Sequence, residues 1–291
     1  MNGKVREIVD LDKTLVLTTS DRISAFDRIL SSIPFKGEVL NRLSLYWFKQ
    51  TEDIIDNHII EQVSPRSIHV NKCEVLPVEV IIRGYLTGSA WRDYKSGKSI
   101  SGITLPKGLK MDQKFETALL TPSTKADQGD HDEPISSEDI VKRGLVSEDL
   151  WNEVQEKAFK LFQRGTELAA KRGLILVDTK YEFGLLDGKL VVVDEVHTPD
   201  SSRFWYADSY EESFLKGENQ KKVDKEFLRQ WLMDQGFMGD GEAPEITNQM
   251  RVDIALKYIK AYELITGEEF HPSELTPEAE REKIVKYIDN L

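Results

Sequence analysis

Across 291 residues, 40% are hydrophobic, and 51 acidic side chains outnumber 39 basic ones for a formal net charge of -12. That length and apolar content suit one large domain or two moderate ones, and the acidic excess argues against a general nucleic-acid binder, whose phosphate contacts need a basic surface. A small phosphorylated ligand stays compatible, because a local pocket can oppose the global charge.

Cys73 is the single cysteine, so no internal disulfide can form. This suits a reducing compartment, and we read Cys73 as a buried small hydrophobe rather than a nucleophile. The N-terminus shows no apolar signal-peptide core, and no apolar run approaches the roughly 20 residues of a membrane-spanning helix. The expectation is a soluble, cytoplasmic protein with neither nucleic acid nor membrane as partner.

In chain order, Val5 to Val9 and Leu15 to Thr19 read as a hairpin around Asp12-Lys13. Leu40 to Phe48 carries helical spacing through Leu40, Leu43 and Trp47. Val78 to Ile82 reads as a strand that ends at Arg83-Gly84. Ser96 to Pro134, rich in Gly, Pro, Ser and Thr, reads as a long irregular segment, and its charged tip from Lys125 to Glu133 suggests a loop that orders over a ligand; the alternative is a solvated linker. Ser136 and Asp139 have capping-box-like spacing. A helix follows from about Ser147 to Lys171, with Leu150, Val154, Leu161 and Leu168 on or near one face and Gly173 as its C′ residue. Leu174 to Val177 is a buried strand. The last quarter is helical: Val252, Ala255, Ile259, Tyr262 and Ile265 form a stripe ended by Gly267, and Thr276 caps a helix opened by Pro277.

Leu174 to Arg203 is the most informative stretch. Asp178, Lys180 and Glu182 alternate with Thr179, Tyr181 and Phe183, so period two puts all three charges on one strand face. Asp187-Gly188 marks a turn, and Lys189 to Asp194 returns as a second strand. A two-residue turn would pair Glu182 with Val193 and send Asp194 to the opposite face. We therefore expect a three-residue loop, Leu186-Asp187-Gly188, or an equivalent bulge, pairing Lys180 with Asp194 and bringing Glu182 to the same face. Two carboxylates there, with a lysine among them, suit a Mg²⁺ ion on nucleotide phosphates; an exposed face laced with ordinary ion pairs is the competing reading. The polar turn Thr198 to Arg203 favours a ligand site.

Two further stretches can hold anions. Gly3-Lys4-Val5-Arg6 can cradle phosphates, but taken alone an exposed strand start is the better reading, since it is neither a Walker A nor a dinucleotide loop. Arg83 to Ser89 follows a buried strand; its glycines allow close backbone approach, and Arg83 and Ser89 can bind a phosphate or carboxylate. A glycine-rich connection with a structural arginine is the alternative.

Together these residues resemble a known family. Leu76-Pro77-Val78-Glu79-Val80-Ile81-Ile82-Arg83 with Thr87-Gly88-Ser89 is similar to one signature of the SAICAR synthetases, and Val177-Asp178-Thr179-Lys180-Tyr181-Glu182-Phe183-Gly184 is similar to the other. Gly3 to Arg6, Asp21 to Asp27, Thr121 to Asp132 and Asp194 to Trp205 extend the resemblance over nearly the whole chain, and the glycine-rich central loop resembles the yeast-type branch. Only two residues precede Gly3, fewer than the resemblance leads us to expect, which points to an absent or shortened strand before the phosphate loop.

The resemblance implies a two-lobed α+β fold, similar to protein-kinase and ATP-grasp architectures. It would comprise a β-rich ATP lobe (1–82), an α+β substrate and magnesium lobe (83–215) and C-terminal helices beside them (216–291). It implies an ATP- and Mg²⁺-dependent ligase of purine biosynthesis acting on small molecules, as monomer or homodimer. ATP would phosphorylate the carboxylate of carboxyaminoimidazole ribonucleotide, and the amine of L-aspartate would displace phosphate. Carried over by residue, Lys4 and Arg6 would hold ATP phosphates, and Glu79 would lie near the adenine. Glu182 and Asp194 would be metal ligands and catalytic, and Lys180 would bind ATP and neutralise the transferred group. Arg83, Ser89 and Arg203 would bind the ribonucleotide, with Asp200 and Lys125 near the substrates.

Overall fold

A computed structural model describes residues 6–26, 28–125, 132–223 and 226–291. Lys4, the start of the chain before the phosphate loop and most of the charged loop tip (126–131) fall outside the described residues. The first part of the chain runs β1 (Arg6–Asp10), β2 (Thr14–Thr19), β3 (Arg22–Ala25), β4 (Arg28–Ser32), α1 (Lys36–Thr51), β5 (Ile59–Ser64) and β6 (Ser67–Asn71). Next come β7 (Glu74–Val75), β8 (Val78–Tyr85), α2 (Gly88–Lys95), β9 (Lys114–Leu120), β10 (Ser123–Thr124), α3 (Ser137–Lys142) and α4 (Glu148–Ala170). The remainder is β11 (Leu174–Leu186), β12 (Lys189–Val193), β13 (Ser202–Tyr206), α5 (Ala207–Lys216), α6 (Glu226–Asp234), α7 (Asn248–Thr266) and α8 (Pro277–Asp289).

The predicted first hairpin is β1-β2, and it forms one edge of a four-stranded sheet of order β1-β2-β6-β5. The larger sheet is built around β11, a 13-residue strand. One edge of β11 carries β8 along Asp178 to Tyr181 and β7 at Gly184 and Leu185. Its other edge pairs with β13 from Leu174 to Thr179, then with β12 from Glu182 to Leu186. The change of partner leaves Lys180 and Tyr181 between the two, and the segment 194–201 crosses there, tied to the strand where the Lys180 amide donates to the Ser201 carbonyl at 3.0 Å.

Period two sorts the β11 side chains as read from sequence. Thr179, Tyr181 and Phe183 are buried, while Lys180 and Glu182 on the alternate face are half-buried. Helix α4 contributes Val154, Ala158, Leu161 and Phe162 to the same core as Leu174, Leu176, Tyr181 and Phe183. Gly165 lets it approach closely, since a Cβ there would lie 2.3 Å from His197 Cε1 and 2.8 Å from Leu176 Cδ2. The predicted caps form: Ser136 Oγ accepts from the Asp139 amide, and Thr276 Oγ1 from the Ala279 amide behind Pro277.

Several expectations need correction. Strand β8 does not stop at Ile82 but continues to Tyr85, because Arg83 is paired on both sides, with Asp178 of β11 and Leu119 of β9. Part of the segment read as irregular therefore supplies strands, β9 and β10 both pairing with β8. The buried stripe of α7 is Ile254, Ala255, Tyr258, Ala261, Tyr262 and Ile265, whereas Val252 is exposed; packing against α1 rotates the face by part of a turn. Cys73 is half-buried rather than enclosed.

Gly165→Ala should destabilise the protein by about 1–3 kcal/mol, the usual cost of overpacking. A denaturant titration reads this directly, and an unchanged midpoint would mean that α4 can withdraw from the sheet without loss.

Candidate active site

The charged face of β11 carries two sites. At its N-terminal end Asp178 sits directly across from Arg83 of β8 and Arg203 of β13. Directly opposed residues share a face, so one buried carboxylate is flanked by two guanidinium groups. Asp178 Oδ2 accepts from Arg203 Nη1 at 2.7 Å and from Arg83 Nη1 at 3.2 Å. Arg83 also donates to Thr121 Oγ1 at 2.8 Å and to Ser89 Oγ at 3.3 Å. Gly88 opens α2 with φ 58°, and a Cβ on it would stand 2.4 Å from Arg203 Nη1. The glycine thus lets the start of the helix close over the arginines. Two guanidinium groups converge on the one Asp178 carboxylate, with the charges of Asp93 and Asp112 also felt by Arg83 and Arg203. A helix N-terminus adds amide dipoles that favour an anion. Burial pulls the Arg83 pKa down although Asp178 opposes it, so an anion there would restore favourable charge. Arg83, Ser89 and Arg203 are brought together as expected. Asp178 and Thr121, which hold Arg83, had no assigned role, although alternation along β11 already put Asp178 on this face.

The second site lies at the other end of the face. The predicted three-residue loop is absent: Leu186 pairs with Lys189 and Glu182 with Val193 around a two-residue turn whose Asp187 and Gly188 have φ 51° and 77°. Positive φ at both central positions marks a type I′ turn, which matches the twist of the strands. Simple pleating would then send Asp194 to the far face. Instead Asp194 adopts φ 66°, and this left-handed residue just beyond β12 turns its carboxylate back toward the charged face. Glu182 and Asp194 consequently line one cavity of about 230 Å³ with Arg6, His58 and an apolar wall that includes Ile8, Leu17, Val70 and Val193.

Every carboxylate here has a cation. Lys180 Nζ donates to Glu182 at 2.6 Å and Glu79 at 2.9 Å. Lys125 also reaches Glu182, Arg6 donates to Asp194, and Arg6 lies 3.7 Å from Glu195. Burial would lower the pKa values of Arg6 and Lys180, but the surrounding carboxylates outweigh it, raising Arg6 and holding Lys180 well above its ordinary value. Burial would likewise raise Asp194, yet Arg6, Lys180 and Lys125 bring it down. Glu195 goes the other way, pushed up by burial and by the Asp194 charge; it accepts from Thr198 Oγ1 at 2.8 Å. Among the described residues, four carboxylates (Glu79, Glu182, Asp194, Glu195) thus face three cations (Arg6, Lys125, Lys180). An apolar cleft ending in that group suits a flat base followed by phosphates, provided that a divalent cation accompanies them. Glu79 is tied to Lys180 and to Ser123, whose Oγ donates to it at 3.4 Å. Asp200 lies in the segment joining the sites and contacts Lys36 and Tyr258. Sequence reasoning missed Lys36; its single signal was a lysine just before a helical apolar pattern.

A family model described as SAICAR synthetase matches residues 1–245. This chain belongs to the SAICAR synthetase family. It is 48% identical over 291 residues to a phosphoribosylaminoimidazole-succinocarboxamide synthase of Cytophaga hutchinsonii, covering 98% of this chain and 93% of that protein. Against the enzyme of the same name from Bacteroides thetaiotaomicron the identity is 47% over 285 residues, covering 96% and 91%. Among solved structures, the SAICAR synthase of Saccharomyces cerevisiae complexed with SAICAR superposes with a TM-score of 0.82 at 38% identity, covering 94% of this chain and 95% of that one. The mixed α+β architecture and the family resemblance drawn from the two signatures are therefore both upheld.

Two buried histidines give this SAICAR synthetase family member a pH signature. Burial, reinforced for His58 by Arg6, depresses His58 to about 4, and burial depresses His197 to about 3. Both are neutral when folded and take up protons near their ordinary value of 6.5 when unfolded. Stability is therefore complete above about pH 6.5 and lost as pH falls toward 4. Urea midpoints should drop between about pH 7.5 and about pH 5, and the drop should be smaller in His58→Gln. A flat profile would show that both rings can take up a proton inside the fold.

Proposed function

We infer that this protein is an ATP-dependent ligase of purine biosynthesis that joins L-aspartate to carboxyaminoimidazole ribonucleotide, giving SAICAR, ADP and phosphate. The observation that carries the reading is the placement of an anion pocket and a carboxylate-rich nucleotide cleft on one face of β11. Asp178 and Glu182 are four residues apart, or ~13 Å at ~3.3 Å per residue. Lys180 stands between them on the same face, within reach of both ends of a ribonucleotide whose phosphate is held by the arginines.

The proposed path has two steps. A substrate carboxylate oxygen attacks the γ-phosphorus of ATP and ADP leaves; the amine of aspartate then attacks the acyl carbon, the nitrogen gives up a proton, and phosphate leaves with the C–O electron pair. A free carboxylate has no adequate leaving group, whereas an acyl phosphate has one. Phosphoryl transfer needs positioning and charge neutralisation more than covalent help. Arg83, Ser89 and Arg203 would hold the ribonucleotide phosphate, with Asp178 fixing both arginines. Lys180, braced by Glu79 and Glu182, would neutralise the moving phosphoryl group. Arg6, together with Lys4, would contact ATP phosphates, and Ile8, Leu17, Val70 and Val193 would flank the base. Glu79, which accepts from Lys180 at 2.9 Å, would lie near the adenine. Lys125 and Asp200 are assigned to the substrates' edge of the site.

The carboxylate excess fits Mg²⁺, which is bound through one or two carboxylates and the nucleotide phosphates. Glu182 and Asp194 would hold it, and it would supply charge neutralisation at the transferring group. In this reading 1–82 supplies most of the ATP cleft, 83–215 the substrate and metal groups, and 216–291 the helices beside them. Among the described residues no helix is long and apolar enough to cross a membrane, and the lone cysteine is free. Both support assigning the reaction to the cytoplasm.

Phosphate release from Mg·ATP and the ribonucleotide, with and without L-aspartate, tests the function. Release that requires both substrates, with a succinocarboxamide product by mass, is expected; no release with any mixture would sink the reading. Asp194→Asn should cut kcat on the order of 10²-fold or more, comparable to removing one charge-stabilising group, and leave the melting curve near wild type. Near-normal turnover would remove Asp194 from the chemistry. Arg83→Ala should raise the ribonucleotide KM about tenfold or more, as expected for losing a partner in a buried charged contact, and the ATP KM far less. Equal effects on both would mean that the pocket has been assigned to the wrong substrate.

A further inference from the structure

One face of β11 carries the charged groups, and the opposite face holds a run of side-chain hydrogen bonds that neither pocket uses. Ser202 Oγ donates to Thr179 Oγ1 at 2.7 Å. The Thr179 side chain also engages the Tyr181 hydroxyl, which lies 2.5 Å from His197 Nε2. All four residues are buried, Tyr181 and His197 completely. The imidazole meets the Trp47 ring edge to face, 4.7 Å between centroids. Gly165 of α4 packs so closely on it that a Cβ there would stand 2.7 Å from Nδ1. Burial keeps the ring neutral, and among the described residues Nδ1 has no hydrogen-bond partner. The bond to Tyr181 is therefore the ring's one polar tie among those residues.

These bonds lie where β11 exchanges β13 for β12 and where the Lys180 amide donates to Ser201 instead of to a strand. His197 sits within the crossing segment and Ser202 follows its end, so both fasten that segment to the core side of β11. Asp194, three residues before His197, has φ 66°, and His197 itself has φ 51°. Left-handed conformations are unfavourable for residues with a side chain and persist only where the surroundings over-determine them. Between the two, Val196 is fully buried and Glu195 accepts from Thr198 Oγ1 at 2.8 Å, which leaves the turn little freedom. Displacing the imidazole would therefore turn Asp194 with it. We propose that His197 is a positioning residue for the reaction: held by Tyr181, it fixes the left-handed turn that presents the Asp194 carboxylate to a divalent cation. The proposal rests on the metal role given to Asp194 above.

The test measures ADP binding by calorimetry, with and without Mg²⁺, in the wild type, Tyr181→Phe and His197→Asn. Tyr181→Phe keeps the ring and removes only the hydroxyl. His197→Asn keeps a residue that tolerates a left-handed backbone but is too short to reach Tyr181. Mg²⁺ should tighten ADP binding to the wild type. In both variants that gain should shrink about tenfold or more, the usual effect of losing a group that orients a metal ligand. ADP affinity without Mg²⁺ and the affinity for the ribonucleotide should stay near wild type, and kcat should partly recover at high Mg²⁺. A side chain that only fills the core would lower the melting temperature and leave the Mg²⁺ gain intact, so a full gain in either folded variant overturns the proposal. An equal loss of ribonucleotide affinity also overturns it, because the whole charged face would then have loosened. Should His197→Asn fail to fold, Tyr181→Phe alone decides. No Mg²⁺ gain in the wild type would sink the metal reading itself, and the proposal with it.

Discussion

Strand β11 can pair with only one neighbour at a time along each edge, and the exchange of β13 for β12 opens the gap around which everything else is arranged. A strand that changes partner must leave a few residues without a regular ladder on that side. Here Lys180 and Tyr181 fill that interval, and Lys180 donates its amide to Ser201 of the crossing segment rather than to a strand. Buried backbone groups must be satisfied, so the segment 194–201 is drawn against β11 at the position where the charged face needs a lid of polar groups. The location of the site thus follows from sheet hydrogen bonding before any side-chain chemistry is considered.

Charge balance then separates the two ends of that face. Around Asp178 two guanidinium groups converge and the glycine at the start of α2 lets the helix N-terminus approach closely, so the pocket favours an anion. Around Glu182 and Asp194 the carboxylates exceed the cations among the described residues, and the cleft between the small sheet and the β11-β12 hairpin adds an apolar wall. Burial amplifies both tendencies, because charges screened from water interact over several ångströms more strongly than exposed ones. Lys180 serves both ends, held between Glu79 and Glu182 yet only two residues from Asp178.

The C-terminal helices are more than a cover. Helix α8 reaches the small sheet, where Glu280 accepts from Ser64 Oγ at 2.6 Å and from Arg66 Nε at 2.7 Å, and the Tyr287 hydroxyl lies 2.7 Å from His69 Nδ1. Helix α7 packs on α1 and sends Tyr258 to Asp200. One end of the chain therefore braces both the sheet that walls the apolar cleft and the turn that joins the two pockets. Closure of the cleft over a reactive acyl phosphate would have to accommodate these ties.

Much of this was legible in the residues themselves. Alternation of Asp178, Lys180 and Glu182 fixed the charged face, because a strand has period two whatever surrounds it. Ser136, Thr276, Pro277 and Gly173 marked helix ends through local hydrogen bonding and backbone conformation, which also need no distant partner. Two signatures gave the family. Tertiary structure decided the rest. The register of the β11-β12 hairpin and the left-handed Asp194 oppose each other, and their cancellation could not be read from a pattern that allows either alone. The extension of β8 through Arg83 depended on β9, drawn from a segment without periodicity. Lys36, Asp200 and Tyr258 are separated by 164 and 58 positions in the chain, so their meeting is set by the packing of α7 on α1, and no local rule of sequence encodes it.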